Sequence, residues 1–504
     1  MAGRGPPSGG LRARRPAGHS RDQGRTMRRH FAVRCLGAVL IGLLAGCGAG
    51  SPQTESADRE TNADLLILGG TVVTMDATRT IWENGGIAVV DGVIAAVGSR
   101  ADIEAEWSAA ETVEAGAADL VIPGLINGHG HAAMTLMRGV ADDLALMDWL
   151  QSYIFPAEAA VVDPAFVTAG TRLAALEMIR TGTTTFVDMY YFAQQVAEVV
   201  DTSGLRAIIG ESLIEFPVPG SPTPADSLEY SRNFMETWSG HERVTPSIAP
   251  HAPYTVTPEN LLAALALTRE FDVPVLIHLA ETSDEVAQIQ DEYGLTPTAH
   301  LENIGFLGPN VIGAHAVWLT DEDIEILARH DVGVVHNPES NLKLASGVMR
   351  VEDLFSAGVA TGLGTDGPAS NNDLDMFGAL LTAPLQQKNF NVDPTATPAT
   401  RVFAMATIEG ARAIGMEDRI GSLEPGKRAD VVIVDGDAPN LVPRYDPYSH
   451  LAYAARGDNV RATIVEGAVL FLDGDFLTLD VEATLAAARE QANRVREAVG
   501  LPQR

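Results

Sequence analysis

The chain has 504 residues, 46% of them apolar and 20% charged, with a formal net charge of −31. That length supports one large domain and a smaller one around a sizeable core, and the composition excludes a disordered or fibrous chain. A body this acidic repels phosphate backbones, which argues against a nucleic-acid partner.

The charge is unevenly spread. Residues 1–47 hold nine arginines and a single acid, Asp22, so the remainder is more acidic than the total. Met27-Arg28-Arg29 reads as a basic start, with either Met1 or Met27 as initiator, and the apolar stretch Cys35 to Leu44 follows. That stretch falls short of the ~20 residues of a membrane helix and reads as an export signal. The small residues of Leu44-Ala45-Gly46 directly before Cys47 resemble a bacterial lipobox. Cys47 is therefore the expected lipidation site of an exported, membrane-anchored lipoprotein, in the periplasm or at the cell surface. The alternative is an ordinary secretory signal with a coincidental cysteine. Residues 48–62, "GAGSPQTESADRETN", read as a polar tether. The only cysteines are Cys35 and Cys47, so no disulfide is expected in the fold.

From residue 63 to 123 short strands and turns follow one another: "LLILGGTVVTM", "GIAVVDGVIAAVG" and "DLVIPG". The Val-Asp-Gly-Val step at 90–93 is a hairpin signal. The same texture returns over 416–479, in "GSLEPGKRADVVIVDG" and "VRATIVEGAVLFLDGDF". The two stretches predict one small β-sandwich built from both chain ends. Between them, over 124–415, apolar strand-like runs alternate with amphipathic helical stretches such as "PAFVTAGTRLAALEMIRTG" and "TPENLLAALALTREFD". Eight such strands predict an α/β fold, a (β/α)8 TIM barrel. Residues 480–504 close the chain with a helix whose N-cap is Asp480.

In such a barrel reactive groups sit at the C-terminal ends of the strands. "NGHGHAAMTLMRG" places His129 and His131 on one strand face, separated by Gly130. An isolated pair of this kind is equally read as two core histidines. The other strand ends change the balance: His251 in "APHAPYT", His278 in "IHLAET" with Glu281 three residues on, His315 in "GAHAVWL", and Asp366 in "GLGTDGPAS". One metal needs about four protein ligands and an open position, and this set supplies them. Ser370 and Asn371 lie within reach of a substrate, yet fit a turn equally well. Met134, Leu136 and Met137 read as pocket wall or core.

The motifs "PGLINGHGHAAMTLMRG", "HAPYTV", "HLAET", "GAH", "HNPESNLKLASG" and "GTDGPASNN" resemble the amidohydrolase superfamily, in its 5-methylthioadenosine/S-adenosylhomocysteine deaminase branch. The resemblance spans about residues 64–480. It implies that His129, His131, His278 and Asp366 bind one divalent metal, usually zinc, with ferrous iron as an alternative. It further implies that His315 orients a water, Asp366 shuttles its proton and Glu281 protonates the purine ring. Glu158 in "FPAE" would contact the ribose, and His251 and Ser370 would touch substrate. No lysine lies near His251, which argues against the two-metal members of the superfamily. Members that accept S-adenosylhomocysteine hold its carboxylate with arginines after the third strand. Here "ESLIEFPVPGSPTPADS", residues 211–227, has none, and Glu211 stands where one is expected. A neutral nucleoside is therefore expected: methylthioadenosine, 5′-deoxyadenosine or adenosine. The partners expected are this small molecule and, through Cys47, a membrane; a homo-oligomer stays open. Two other readings also stay open. One is hydrolysis of another aromatic C–N or C–Cl bond, on guanine, a pterin or an s-triazine. The other is a non-catalytic surface protein that uses the barrel for binding.

Overall fold

The computed structural model describes residues 61–501. The export signal, Cys47 and nearly all of the tether lie outside the described residues.

Eight strands follow one another in parallel: β1 (Leu125–Gly130), β2 (Thr183–Tyr190), β3 (Arg206–Leu213), β4 (Val244–Pro250), β5 (Val275–Leu279), β6 (Val311–His315), β7 (Gly333–His336) and β8 (Thr361–Leu363). Every residue of β1, β2, β3 and β5 is buried. A parallel strand covered on one side by helices and on the other by the barrel interior must be apolar on both faces, which is why these segments read as continuous runs. The interior is filled by Ile126, Val187, Ile208, Leu276, Ile312 and Val335, one from each of six strands, over a floor of Ile414, Met416 and Ile420.

Helices return the chain from each strand to the next. Pro164–Arg180 and Pro258–Phe271 occupy the two helical stretches quoted above, and begin on the side-chain caps Asp163 and Thr257. Between β1 and Pro164 the path is less regular. A 3-10 turn (Ala132–Met137), a short helix (Leu146–Trp149), a π-turn (Leu150–Ile154) and a further helix (Phe155–Val161) succeed one another.

The ring closes between β8 and β1 through side chains as well as backbone. Asn127 donates from Nδ2 to Thr365 Oγ1 (2.7 Å) and accepts the Thr365 N–H (3.0 Å). The Asp366 N–H donates to the His129 carbonyl (3.0 Å). The strands approach so closely that a Cβ on Gly364 would stand 2.5 Å from Asn337 Oδ1 and 2.8 Å from the His129 nitrogen.

The second sheet has nine strands. Thr61–Val73 to Trp107–Pro123 come from one end of the chain, and Val431–Val434 to Asp475–Phe476 from the other. Val431–Val434 joins the halves by pairing antiparallel with Leu120–Pro123. Eight of the strands form one continuous hydrogen-bonded path, and Ile81–Glu83 pairs with Thr61–Val73 off that path. The path curls back on itself, since Val93 bridges Arg428 and the Ile94 N–H reaches the Lys427 carbonyl. At the Val90–Val93 hairpin, Asp91 and Gly92 both take positive φ (50° and 73°), as a two-residue turn of this hand requires.

Arg206, at the start of β3, is 1% exposed and ties the barrel to this sheet. Its guanidinium donates to both oxygens of Asp430 (3.1 and 3.2 Å) and lies 3.6 Å from Glu466. The C-terminal helix Val481–Ala498, capped by Asp480, packs on Pro164–Arg180, on Phe155–Val161 and on the 3-10 turn after His131. Removing one partner of a buried ion pair strands the other charge. Arg206→Ala should therefore lower stability by about 3–5 kcal/mol, read as a shift of the urea midpoint.

Candidate active site

The barrel mouth holds a cleft whose lining includes His131, His278, His315, Asp366, Glu281 and His251. On β4 and β5 the side-chain alternation explains the placement. Ala249 and Leu276 fill the interior, so the residues two further on, His251 and His278, point the same way at the rim. His315 and Asp366 take positive φ (74° and 63°), so the backbone turns sharply at both.

The imidazoles converge. His129 Nε2 lies 3.4 Å and His131 Nε2 3.2 Å from Asp366 Oδ1. The donor atoms of His129, His278 and His315 lie within 4.8 Å of one another, as do those of His129, His131 and Asp366. Each ring is oriented from behind. His131 Nδ1 donates to the Met189 carbonyl (2.5 Å), and His278 Nδ1 donates to the His251 carbonyl (2.7 Å). His315 Nδ1 faces Asn341 Oδ1 at 2.9 Å. A carbonyl can only accept, so with Nδ1 donating it is Nε2 of His131 and of His278 that, in the neutral ring, offers a lone pair towards the centre. His129 Nε2 is buried without a hydrogen-bond partner. An orphaned imidazole nitrogen among other bare nitrogens and a carboxylate is what a cation would satisfy.

The electrostatics agree. Burial, reinforced by the neighbouring imidazoles, holds His278 well below its ordinary value, and burial lowers His129 to about 4. Both are neutral, the form that ligates. Burial works to raise Asp366, but the imidazoles of His129 and His131 close against it outweigh that and hold it well below the usual carboxylate range. Burial opposes a proton on His131, yet Asp366 pushes that ring up to about 9. The cluster thus favours one positive charge near Asp366, and a divalent ion would replace that proton. Asp366 Oδ2 accepts from Ser340 (2.6 Å) and Ser370 (2.8 Å), which leaves Oδ1 towards the histidines.

Glu281 is buried, with Oε2 3.9 Å from His315 Nε2 and Ser346 Oγ 3.4 Å from Oε1. Burial raises its pKa, which favours a protonated acid. Glu158 stands on helix Phe155–Val161, not in a loop, and accepts from Tyr190 (2.8 Å) and Tyr191 (3.3 Å), one on each oxygen. Burial pushes it up to about 7. His251 lies beside His278, with Nδ1 on Thr255 Oγ1 (2.8 Å), and burial lowers it to about 3. Ser370 and Met134 line the cleft, whereas Leu136 and Met137 are core. Asn371 turns to Glu339 and Asp373.

One expectation fails. Glu211 does not face the cleft: it is buried behind β3, where it accepts the Ala193 N–H at 2.8 Å. Its neighbour Ser212 takes the cleft side, because a shift of one residue along a strand changes the face. Repulsion by Glu211 therefore plays no part in substrate choice. The cleft lining nevertheless contains no lysine or arginine. Tyr190, Tyr191, Ser340, Asn341 and Ser346 escaped sequence reasoning. The quoted "HNPESNLKLASG" contains the last three, and the polar density of that run was the available signal.

The sequence profile of the amidohydrolase family matches residues 120–470. The chain belongs to the amidohydrolase family. It is 45% identical to the 5-methylthioadenosine/S-adenosylhomocysteine deaminase of Syntrophobacter fumaroxidans, over 86% of this chain and 99% of that one. It is 41% identical to the 5′-deoxyadenosine deaminase of Methanosarcina mazei, over 86% and 98%. The crystal structure of an adenosine deaminase from Xanthomonas campestris with bound zinc superimposes with a TM-score of 0.85 at 40% identity, covering 87% of this chain and all of that one.

The donor set fits one divalent ion. Elemental analysis of the purified amidohydrolase should find metal that His129→Ala and Asp366→Ala lose and His251→Ala keeps. An ion present at a hundred times its Kd adds about 2.7 kcal/mol, so chelation should also lower Tm.

Proposed function

We propose that the protein is a zinc-dependent hydrolase that deaminates an adenine nucleoside at C6, giving the hypoxanthine nucleoside and ammonia. The observation that carries this reading is the meeting of three kinds of group in one cleft. They are bare imidazole nitrogens around Asp366, a buried acid (Glu281) beside His315, and a separate carboxylate (Glu158) farther along the wall. The names of the relatives support the same chemistry.

In this reading His129, His131, His278 and Asp366 hold the ion. When bound, it supplies Lewis acidity that makes water a nucleophile near neutral pH, where free water has a pKa of about 15.7. His315, oriented by Asn341, directs the attacking oxygen. Asp366 Oδ1 would take one proton of the water and pass it to the departing amino group, and the second would return to Glu281 as the C6 carbonyl forms, so the C–O bond forms and the C–N bond breaks with ammonia leaving neutral. Glu281 gives its proton to the ring nitrogen next to C6 as that carbon becomes tetrahedral. Glu158, steadied by two tyrosine hydroxyls, accepts from the ribose, and His251 and Ser370 contact the substrate. Trp149, Leu150, Ile154, Phe155 and Ile214 form an apolar wall for a neutral 5′ group. A charged amino-acid tail would be desolvated there without a counter-charge.

Glu281→Gln should lower kcat by about 10²–10⁴, the range for loss of a positioned acid, read as ammonia release. As pH rises through the raised pKa of Glu281 the donor is lost, so kcat/KM should fall on the alkaline side. Methylthioadenosine, 5′-deoxyadenosine or adenosine should be preferred to S-adenosylhomocysteine at least about tenfold, the equivalent of 1.4 kcal/mol. Turnover of guanine or a triazine with no 6-aminopurine nucleoside accepted would reject the reading.

The basic, apolar and small-residue order ahead of Cys47 supports export and lipid anchoring. Cells fed labelled palmitate should label the wild type and not Cys47→Ala.

A further inference from the structure

The buried acids at the barrel mouth fall into two sets. Glu158, Glu281 and Asp366 line the cleft. Asp188, Glu211 and Glu285 do not, and no ion pair with lysine or arginine joins any of the three among the described residues. Each instead accepts backbone N–H groups from a loop that leaves a barrel strand. Asp188 takes Ala132, next to His131, at 2.6 Å, and Glu211 takes Ala193, just past the Tyr190-Tyr191 pair, at 2.8 Å.

Glu285 does most. It stands at the third position of helix Ser283–Tyr293, three residues after the N-cap Thr282, whose hydroxyl accepts the Glu285 N–H. Acids at the same position of two other helices, Asp226 and Asp323, fold back on their own caps, Thr223 and Thr320. The Glu285 carboxylate reaches further back. Oε1 accepts the Ala280 N–H and Oε2 the Glu281 N–H, both at 2.8 Å. Two consecutive N–H groups on one carboxylate fix the plane of the turn between them. Ala280 is left-handed (φ 49°), a conformation alanine seldom takes unless its surroundings impose it. That turn carries Glu281 from the end of β5 into the cleft.

We infer that Glu285 is a positioning residue for the proton donor: its carboxylate locks the Ala280–Glu281 turn and so sets where the Glu281 carboxyl meets the substrate. The inference rests on the reading of Glu281 as donor. An amide cannot replace this carboxylate, because one of its two ends would present a donor to a donor.

A double-mutant cycle on the zinc-loaded full chain, with methylthioadenosine as substrate, tests the coupling. Glu285→Gln should lower kcat by about 10- to 100-fold, the scale of a misplaced catalytic group. KM and bound zinc should stay within about twofold of the wild type, and on the Glu281→Gln background the same change should cost less than about threefold. Multiplying effects, or a joint loss of kcat, KM and zinc, would overturn the inference. Should Glu285→Gln fail to fold, Glu285→Asp, which keeps the charge but shortens the reach, is judged by the same criteria. Hydrogen exchange over residues 275–293 gives a readout independent of turnover. The Ala280 and Glu281 amides should exchange faster in the variant, and unchanged exchange would refute the positioning role. A wild type inert on every adenine nucleoside, by contrast, would refute the deaminase reading.

Discussion

The site exists because the barrel closes. The residues proposed to hold its ion come from the first strand, the fifth and the loop after the eighth, and the join between β1 and β8 brings the outermost of these together. Asn127 and Thr365, 238 residues apart in the chain, exchange two hydrogen bonds, and the Asp366 N–H binds the carbonyl of His129. An aspartate at one end of the barrel is thus hydrogen-bonded through its own backbone to a histidine at the other. The glycine at 364 follows from the same constraint, since only a residue without a Cβ lets the two strands lie so near.

Much of this was readable in the chain. Parallel strands buried on both faces leave continuous apolar runs, and a polar cluster at their ends leaves a histidine or aspartate where several of the runs stop. His129, His131, His278, His315 and Asp366 all announced themselves in that way. The segment from 132 to 161 did not. Its apolar residues divide between the cleft and the core, and it passes through a 3-10 turn, a π-turn and two short helices, so no single period marks it. For that reason nothing in the sequence marked the helix that bears Glu158. Glu211 was misplaced by one strand position, which is enough to move a side chain from cleft to scaffold. Capping acids were also opaque: Thr-x-x-Glu announces a helix start, but not that Glu285 serves the turn before it.

Carboxyl groups play three parts around the mouth, set by what each one meets. Asp366 meets imidazoles and stays ionised. Glu281 meets mostly apolar and neutral surroundings and is pushed towards its acid form. Asp188, Glu211 and Glu285 meet peptide N–H groups and act as struts. A basic partner near any of these struts would introduce a competing cation close to the metal centre. Backbone amides satisfy the oxygens without that cost.

The helix Val481–Ala498 is the last element of the described chain, yet it lies against both the turn that follows His131 and the helix that bears Glu158. A nascent polypeptide can assemble all eight barrel strands while still lacking the buttress behind its substrate wall. The wall of the cleft is thus completed by the last described element, and the strands alone do not supply it.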